Sequence, residues 1–253
     1  MKSKRTDMSL IGKIWRRSRG EYFCISIKDP NKPKGRNWKD HFFKRSEIGK
    51  AIKFARAHDS CDVYICPQGF TKPRRHKDNA VDPNVLFADL DASNPRQIDI
   101  KPTIALESSP GRYVGFWICD EPVTEELNRR LSYYVGADQS GWDWTQVLRA
   151  PGTINHKPEY DSPRVQVLWS DGPRHQTKRL ERVVPQIETD DGQVEGGDAT
   201  DIYSKYEKHM PRWLRKEFTN PKVQHGKRSE VLWKMINQCL EVGMSYDEVF
   251  TIC

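Results

Sequence analysis

Apolar residues in this chain fall mainly into short runs broken by polar turns, with stripes at helical spacing in only a few places. EYFCISIK at 21–28, DVYICP at 62–67 and VLFADLDA at 85–92 predict strands, the last buried on both faces. TIALESS at 103–109 and YVGFWIC at 113–119 predict a strand pair turning at Pro110-Gly111, and RVQVLW at 164–169 a further strand. SEIGKAIKFARAH at 46–58 predicts a helix capped by Ser46, with Ile48, Ile52 and Phe54–Ala55 on its apolar stripe. A second helix is expected over 124–135, capped by Thr124, with Glu125 and Glu126 in its first turn. The stretch QGFTKPRRHKDN at 68–79 reads as a basic loop.

Residues 186–201, acidic and poor in apolar side chains, predict a flexible linker. Two helices should follow, over 202–217 and 228–253, with Leu232, Met235, Ile236, Cys239 and Leu240 on one apolar face. The pattern implies an α+β (mixed α/β) fold. A catalytic domain over 1–185, built on a central mixed β-sheet, precedes a helical C-terminal subdomain over 202–253. The helical pattern is still running at Cys253, which suggests a chain cut from a longer protein.

No apolar run is long enough to cross a membrane, and the basic start lacks the apolar core of a signal peptide, so a cytoplasmic protein is expected. Six scattered cysteines without a CxxC pair suit reduced thiols. His58, Cys61, Cys66 and His76 are loosely grouped, but their spacing is not that of a zinc site, which argues against structural zinc. The net charge of +7 is unevenly spread: residues 1–80 carry 21 Lys and Arg against 8 Asp and Glu, and residues 81–185 carry 12 against 15. Trp15, Tyr22, Phe23, Trp38, Phe42 and Phe43 are interleaved with the basic part. Cations neutralise phosphates and rings stack on bases, so this half suits a nucleic acid; a solvated basic surface over ordinary core aromatics is the competing reading.

The sharpest chemical feature is Asp89-Leu90-Asp91 at the end of the buried strand. Strand alternation turns residues 89 and 91 to one face. Two carboxylates there repel each other unless a cation joins them, and hard oxygens suit Mg²⁺ or Mn²⁺. A strand end meeting solvent would explain an isolated pair of acids equally well.

Taken in order after FADLDA, the blocks LESSPGRYVGFWICDEPVT at 106–124 and GADQSGWDWTQVLRAPGTINHKP at 136–158 resemble the archaeo-eukaryotic primase superfamily. They look closest to the primase–polymerase (RepB-like primase) domains of phage and plasmid replication proteins. WKDHFFKR, DVYICPQGF and PRRHK are also similar to that group, and the likeness covers roughly residues 20–170. The resemblance implies three acidic metal ligands: Asp89, Asp91, and either Asp138 or Asp143, with Asp138 favoured by its spacing before Arg149. It implies two Mg²⁺ or Mn²⁺ ions and phosphate contacts from Ser108 and Ser109. The histidine common in the family's middle block is missing, since none stands between residues 108 and 120, and Arg112 is the candidate replacement. Arg149, Asn155 and Lys157, around a turn at Pro151-Gly152, would face nucleotide or template. Arg74, Arg75 and Lys77 are candidates for the triphosphate or the template backbone. His156 carries no assigned role.

The function implied is two-metal nucleotidyl transfer from nucleoside triphosphates onto a single-stranded DNA template, by a primase/DNA polymerase of a phage or plasmid replication protein. A helicase domain elsewhere in the full-length protein and the host cytoplasm as location follow from the same resemblance. Two other classes stand beside it. One is a single-stranded DNA-binding replication module with weak or lost catalysis. The other is a metal-dependent glycosyltransferase, which explains the acid pair but not the basic, aromatic N-terminal half.

Overall fold

The computed structural model describes residues 4–187, 197–219 and 228–253. The chain divides into two compact units, Met1–Ile187 and Glu188–Cys253. Residues 188–196, most of the stretch expected to be a linker, lie outside the described residues.

The first unit opens with helix α1 (Lys4–Trp15), where the sequence pattern shows only a basic start. Strand β1 (Tyr22–Lys28) pairs antiparallel with β2 (Trp38–Lys44) on one side and β3 (Asp62–Phe70) on the other. Short β4 (Ala80–Val81) and β8 (Leu148–Arg149) both add to β3. The second sheet runs β5-β7-β6-β9, from β5 (Val85–Asp91), β6 (Ile104–Ser109), β7 (Arg112–Ile118) and β9 (Gln166–Trp169), all antiparallel. The α+β class therefore stands, but two antiparallel sheets replace the expected central mixed sheet. The tight turn at Pro110-Gly111 forces β6 and β7 antiparallel, because only a longer crossover can make strands parallel. One apolar core joins the two sheets, with Phe23, Ile25, Val63 and Ile65 packed together with Leu86, Phe87, Phe116 and Trp117.

Helix α2 spans Ile48–Ala57, behind a 3₁₀ turn at Arg45–Glu47. Ser46 therefore lies inside that turn and does not cap the helix; the Glu47 carboxylate instead takes the N–H of Lys44 at 3.1 Å. Helix α3 (Glu125–Tyr134) begins as expected, with Thr124 Oγ1 accepting the N–H of Leu127 at 3.2 Å. Helix α4 (Thr177–Val183) closes the unit. The expected loop at 68–79 starts late, because Gln68–Phe70 remain in β3, where Gly69 and Phe70 pair with Phe23 and Tyr22 of β1. The end of α1 is stitched to that strand by Ser18 Oγ, which accepts the N–H groups of Gly69 at 2.8 Å and Gly20 at 3.3 Å. The backbones cross so closely that a Cβ on Gly20 would stand 2.3 Å from the Gly69 carbonyl carbon.

The second unit has helices α5 (Ala199–Tyr206), α6 (Arg212–Thr219), α7 (Arg228–Glu241) and α8 (Tyr246–Ile252). Ile202, Met210, Leu214, Cys239, Met244 and Val249 form its own core. Each of the two expected helices is thus broken in two. Pro211 has no N–H to continue a helix, and it opens α6. Gly243, at φ 92°, ends the α7 path, and Ser245 starts α8 with a reciprocal capping box to Glu248. Leu232, expected on the apolar face, is exposed. Among the described residues no helix is long and apolar enough to cross a membrane.

Candidate functional site

The ends of four strands and one loop meet at a cleft of about 440 Å³ in the first unit. β5 contributes Asp89 and Asp91, the β6–β7 hairpin contributes Ser108, Ser109 and Arg112, and β8 with its following loop contributes Arg149, Asn155 and Lys157. All eight stand out in the sequence, in blocks separated by up to about 60 residues, and the fold brings them together.

The acid pair is not held by simple alternation. The β5–β7 register slips between Asp89 and Asp91, and Asp91 takes φ 46°. This is a bulge at a strand end, with Asp in the left-handed region that its short polar side chain tolerates better than most. Leu90 between them is fully buried, while both acids still line the cleft. Burial, and then the negative field of Asp91, push the Asp89 carboxyl up to about 6. Asp138 adds to that push; the backbone N–H of Asp91 and the charge of Lys157 oppose it. The donor set fits a divalent cation: two mutually repelling carboxylates of hard oxygens, one of them held above its usual range for want of a counter-charge.

The two candidate third acids part company. The Asp138 N–H donates to the Asp89 carbonyl at 2.9 Å, which holds the two residues side by side. One Asp138 carboxyl oxygen is engaged, taking the N–H of Ser140 at 2.9 Å and its hydroxyl at 2.8 Å. Asp143 instead caps the Thr145 backbone N–H at 2.7 Å, and its field acts on buried Cys66. Neither lines the cleft, and among the described residues no three His, Cys, Asp or Glu side chains stand together as a ready-made metal cluster.

The cationic wall is better formed. Arg149 is buried, with Nη1 donating to Asp62 Oδ1 at 2.7 Å and its guanidinium 4.9 Å above the Tyr64 ring. Its other terminal nitrogen, Nη2, is buried with no hydrogen-bond partner. Arg149 lines the cleft, and a guanidinium N–H without a partner has the chemistry to meet an oxyanion. Arg112 Nη1 reaches Asp91 Oδ1 at 3.3 Å from an exposed position. Asn155 is less available than expected, since Nδ2 donates to the Ser108 carbonyl at 3.3 Å and Oδ1 accepts the N–H of Lys157 at 3.1 Å. It ties the loop to β6 and so positions its neighbours.

Arg74, Arg75 and Lys77 do not line the cleft. Arg75 is a structural clamp, from Asp40 Oδ2 at 3.0 Å to the Thr145 carbonyl at 2.7 Å. Lys77 pairs with Glu125 at 3.5 Å and lies 5.2 Å from the Trp142 ring centre. The aromatics of the basic half also sort themselves. Trp15 and Phe23 are buried and stacked at 4.9 Å, whereas Trp38 is exposed with its ring 5.1 Å from Tyr64. Three residues of the site escape sequence reasoning: Asp62, which anchors Arg149 and the His156 N–H, and the cleft-lining Tyr64 and Tyr160. Tyr64 is the one half-buried position of a strand otherwise buried throughout, and Tyr160 sits in an irregular loop, so neither carries a periodic signal.

Residues 87–193 match the family model described as the RepB DNA-primase N-terminal domain. That matched segment is under half of the chain. It contains Asp89, Asp91 and the third cleft-lining acid, Glu159, which stands 3.9 Å from Lys157, and every cleft residue named except Tyr64. The chain is 30% identical over 122 residues to a replication protein of Clostridium perfringens, a match covering 38% of this chain and about 30% of that relative's length. In fold it is similar to the primase–polymerase (AEP) domain of cyanophage S-2L, at TM-score 0.55 and 15% identity, covering 72% of this chain and 98% of that one. It is also similar to the primase RepB′, at TM-score 0.51 and 18% identity, covering 96% of this chain and 84% of that one. The fold is that of a primase–polymerase domain, and the glycosyltransferase reading has no support from it.

Proposed function

We propose that this RepB-type primase domain transfers nucleotides from nucleoside triphosphates onto a DNA-templated 3′-hydroxyl in the cleft between Asp89 and Arg149. One observation carries the reading: a repelling acid pair and a buried guanidinium with an unused N–H line the same small cleft. Asp89 and Asp91 would hold the divalent ions, with Asp138 beside Asp89 as the third acid. Mg²⁺ or Mn²⁺ held there would supply the chemistry that lowers a hydroxyl's pKa and offsets the charge of a pyrophosphate. The chain's own residues do the rest. Arg149, fixed by Asp62 and Tyr64, offers Nη2 to a phosphate oxygen. Ser108 and Ser109 supply hydroxyls at the hairpin, and Lys157 adds a cation beside Asp89. Arg112, at Asp91, would take the part of the histidine missing from the middle block. No side-chain nucleophile is required, because the substrate hydroxyl attacks directly.

A single-stranded template suits the rim next to Tyr64. Trp38 offers an exposed ring there, and Lys28, Lys32, Lys34, Arg36 and Lys39 are carried on β1, β2 and their connection. The resemblance also suggests a helicase as a partner in replication.

A polymerisation assay with labelled deoxynucleotides, Mn²⁺, and primed and unprimed templates tests the reading. The wild type should extend or initiate, and Asp89→Ala should lower product by roughly two orders of magnitude or more. One observation favours the alternative of a DNA-binding module with weak or lost catalysis: the described acids do not converge as a set of three. No wild-type product on either template would decide for that alternative.

A further inference from the structure

Most of the basic residues of the N-terminal half do not face the cleft. Arg16, Arg17, Arg19 and Arg45 gather with Arg174 around a hollow of about 430 Å³, beside Asn84 and Ile118. Asn84 precedes β5, and Ile118 pairs with Val85 at the end of the sheet opposite the acids. At about 3.3 Å per strand residue, Asn84 lies roughly 16 Å from Asp89 along the chain. The hollow continues in both directions. Arg16 and Arg17 are shared with a neighbouring hollow of about 460 Å³ that Lys13 also lines. Arg174 is shared with another of about 580 Å³ that holds Lys101 and Arg179. The three form a trough.

Among the described residues no carboxylate pairs with any of these five arginines. Arg16, Arg19, Arg45 and Arg174 are exposed. Asp120, the acid in the central hollow, is committed to the N–H groups of Glu121 and Thr177, both at 2.9 Å. Arg45 is braced, its guanidinium donating to the carbonyls of Ser18 and Arg16. Unpaired like charges crowded this closely repel one another, and a polyanion lying in the trough would relieve that. Unlike the cleft rim, the trough has no Phe, Tyr or Trp among the described residues that line it, so it offers no ring on which a base could stack. It offers contacts to phosphates alone, which suits a duplex, whose bases are already stacked inside.

We infer that this trough is a second nucleic-acid site, which holds the phosphate backbone of duplex DNA away from the cleft. The inference requires neither metal nor catalysis. Its test is anisotropy of the full chain with a labelled duplex of about 20 base pairs and with an oligo-dT of equal length, across a salt series. Replacing Arg16, Arg17, Arg19 and Arg174 by Ala should weaken duplex binding at least about tenfold. The slope of log affinity against log salt should become shallower by about 0.9 for each phosphate that is no longer neutralised. Asp89→Ala should bind the duplex like the wild type, so a failed polymerase reading leaves this result standing. Replacing Lys32, Lys34, Arg36 and Lys39 by Ala should leave duplex affinity within about twofold. Unchanged duplex binding by the arginine variant, an equal loss in the lysine-rich variant, or a loss confined to oligo-dT each overturns the inference. Should the arginine variant fold poorly, phenylglyoxal labelling of the wild type decides. Duplex should shield Arg16, Arg17, Arg19 and Arg174 but not Arg36, and equal labelling with and without duplex overturns the site.

Discussion

Asp89 is a carboxyl whose folded environment favours the protonated form, pushed up to about 6 from an ordinary 3.8. Its contribution to stability is complete below pH 3.8 and is lost as pH rises through about 6, to the extent of ~3 kcal/mol. With chelator present, the wild type should lose stability relative to Asp89→Asn between about pH 4 and about 6.5. Parallel melting curves for the two across that range would contradict the environment described. Mn²⁺ should return most of the loss above about pH 6, and only to the wild type. Asp62 acts at the same scale from a buried position. Asp62→Ala leaves the Arg149 guanidinium buried without its partner, at a cost of about 3–5 kcal/mol. A urea midpoint unchanged from wild type would show that this pair does not hold the cationic wall. Neither effect is visible in sequence. Asp89 can be marked as a candidate from its spacing to Asp91, but its burial and its neighbours come from β7 and Asp138. Asp62 looks like the first residue of a strand and nothing more.

At the scale of elements, the six expected strands and the α3 cap follow from local pattern, and the structure agrees with them within a residue or three; β2, β4 and β8 are strands that the pattern does not announce. The misses occur where a local signal is outvoted. Ser46 has the chemistry of a cap, but the chain tightens into a 3₁₀ turn and Glu47 takes over. Gly69 reads as part of a loop, yet it stays in β3 because Gly20 crosses it without a Cβ. Gly20→Ala would drive a methyl into the Gly69 backbone at 2.3 Å and should lower stability by roughly 1–3 kcal/mol or more. Gly49, in α2 with open space around it, is the control, and Gly49→Ala should stabilise by roughly 0.5–1 kcal/mol. Calorimetry on the two proteins reads the difference, and equal melting shifts would remove the crossing from the account.

For the whole molecule, two cores mean two units with separate sensitivities. In the helical unit, Glu248 accepts hydrogen bonds from Lys205 Nζ at 2.7 Å, Tyr206 Oη at 2.9 Å and the Ser245 N–H at 2.9 Å. These partners, Lys205 first, hold its carboxyl down to about 2. The stabilisation it lends is present above pH 4.5 and lost as pH falls towards 2. Methyl NMR of Met210 and Met244 should show the unit loosening over that window, with a shallower acid transition in Glu248→Gln. An identical transition in the variant would refute the tie between α5 and α8.

The sequence alone determined the periodic elements, the acid pair, and the blocks around Ser108 and Arg149 whose order resembles the primase family. These are properties of neighbours in the chain, and local sterics and side-chain chemistry act over that range. Tertiary structure decided which charges share a space. It split one basic half into an exposed rim near Trp38, structural clamps such as Arg75, and a trough of arginines at the far end of β5. It also left one guanidinium nitrogen of Arg149, a residue lining the cleft, buried without a partner. Charge is additive along a sequence, but electrostatic interaction depends on distance and burial, and only the folded chain sets those.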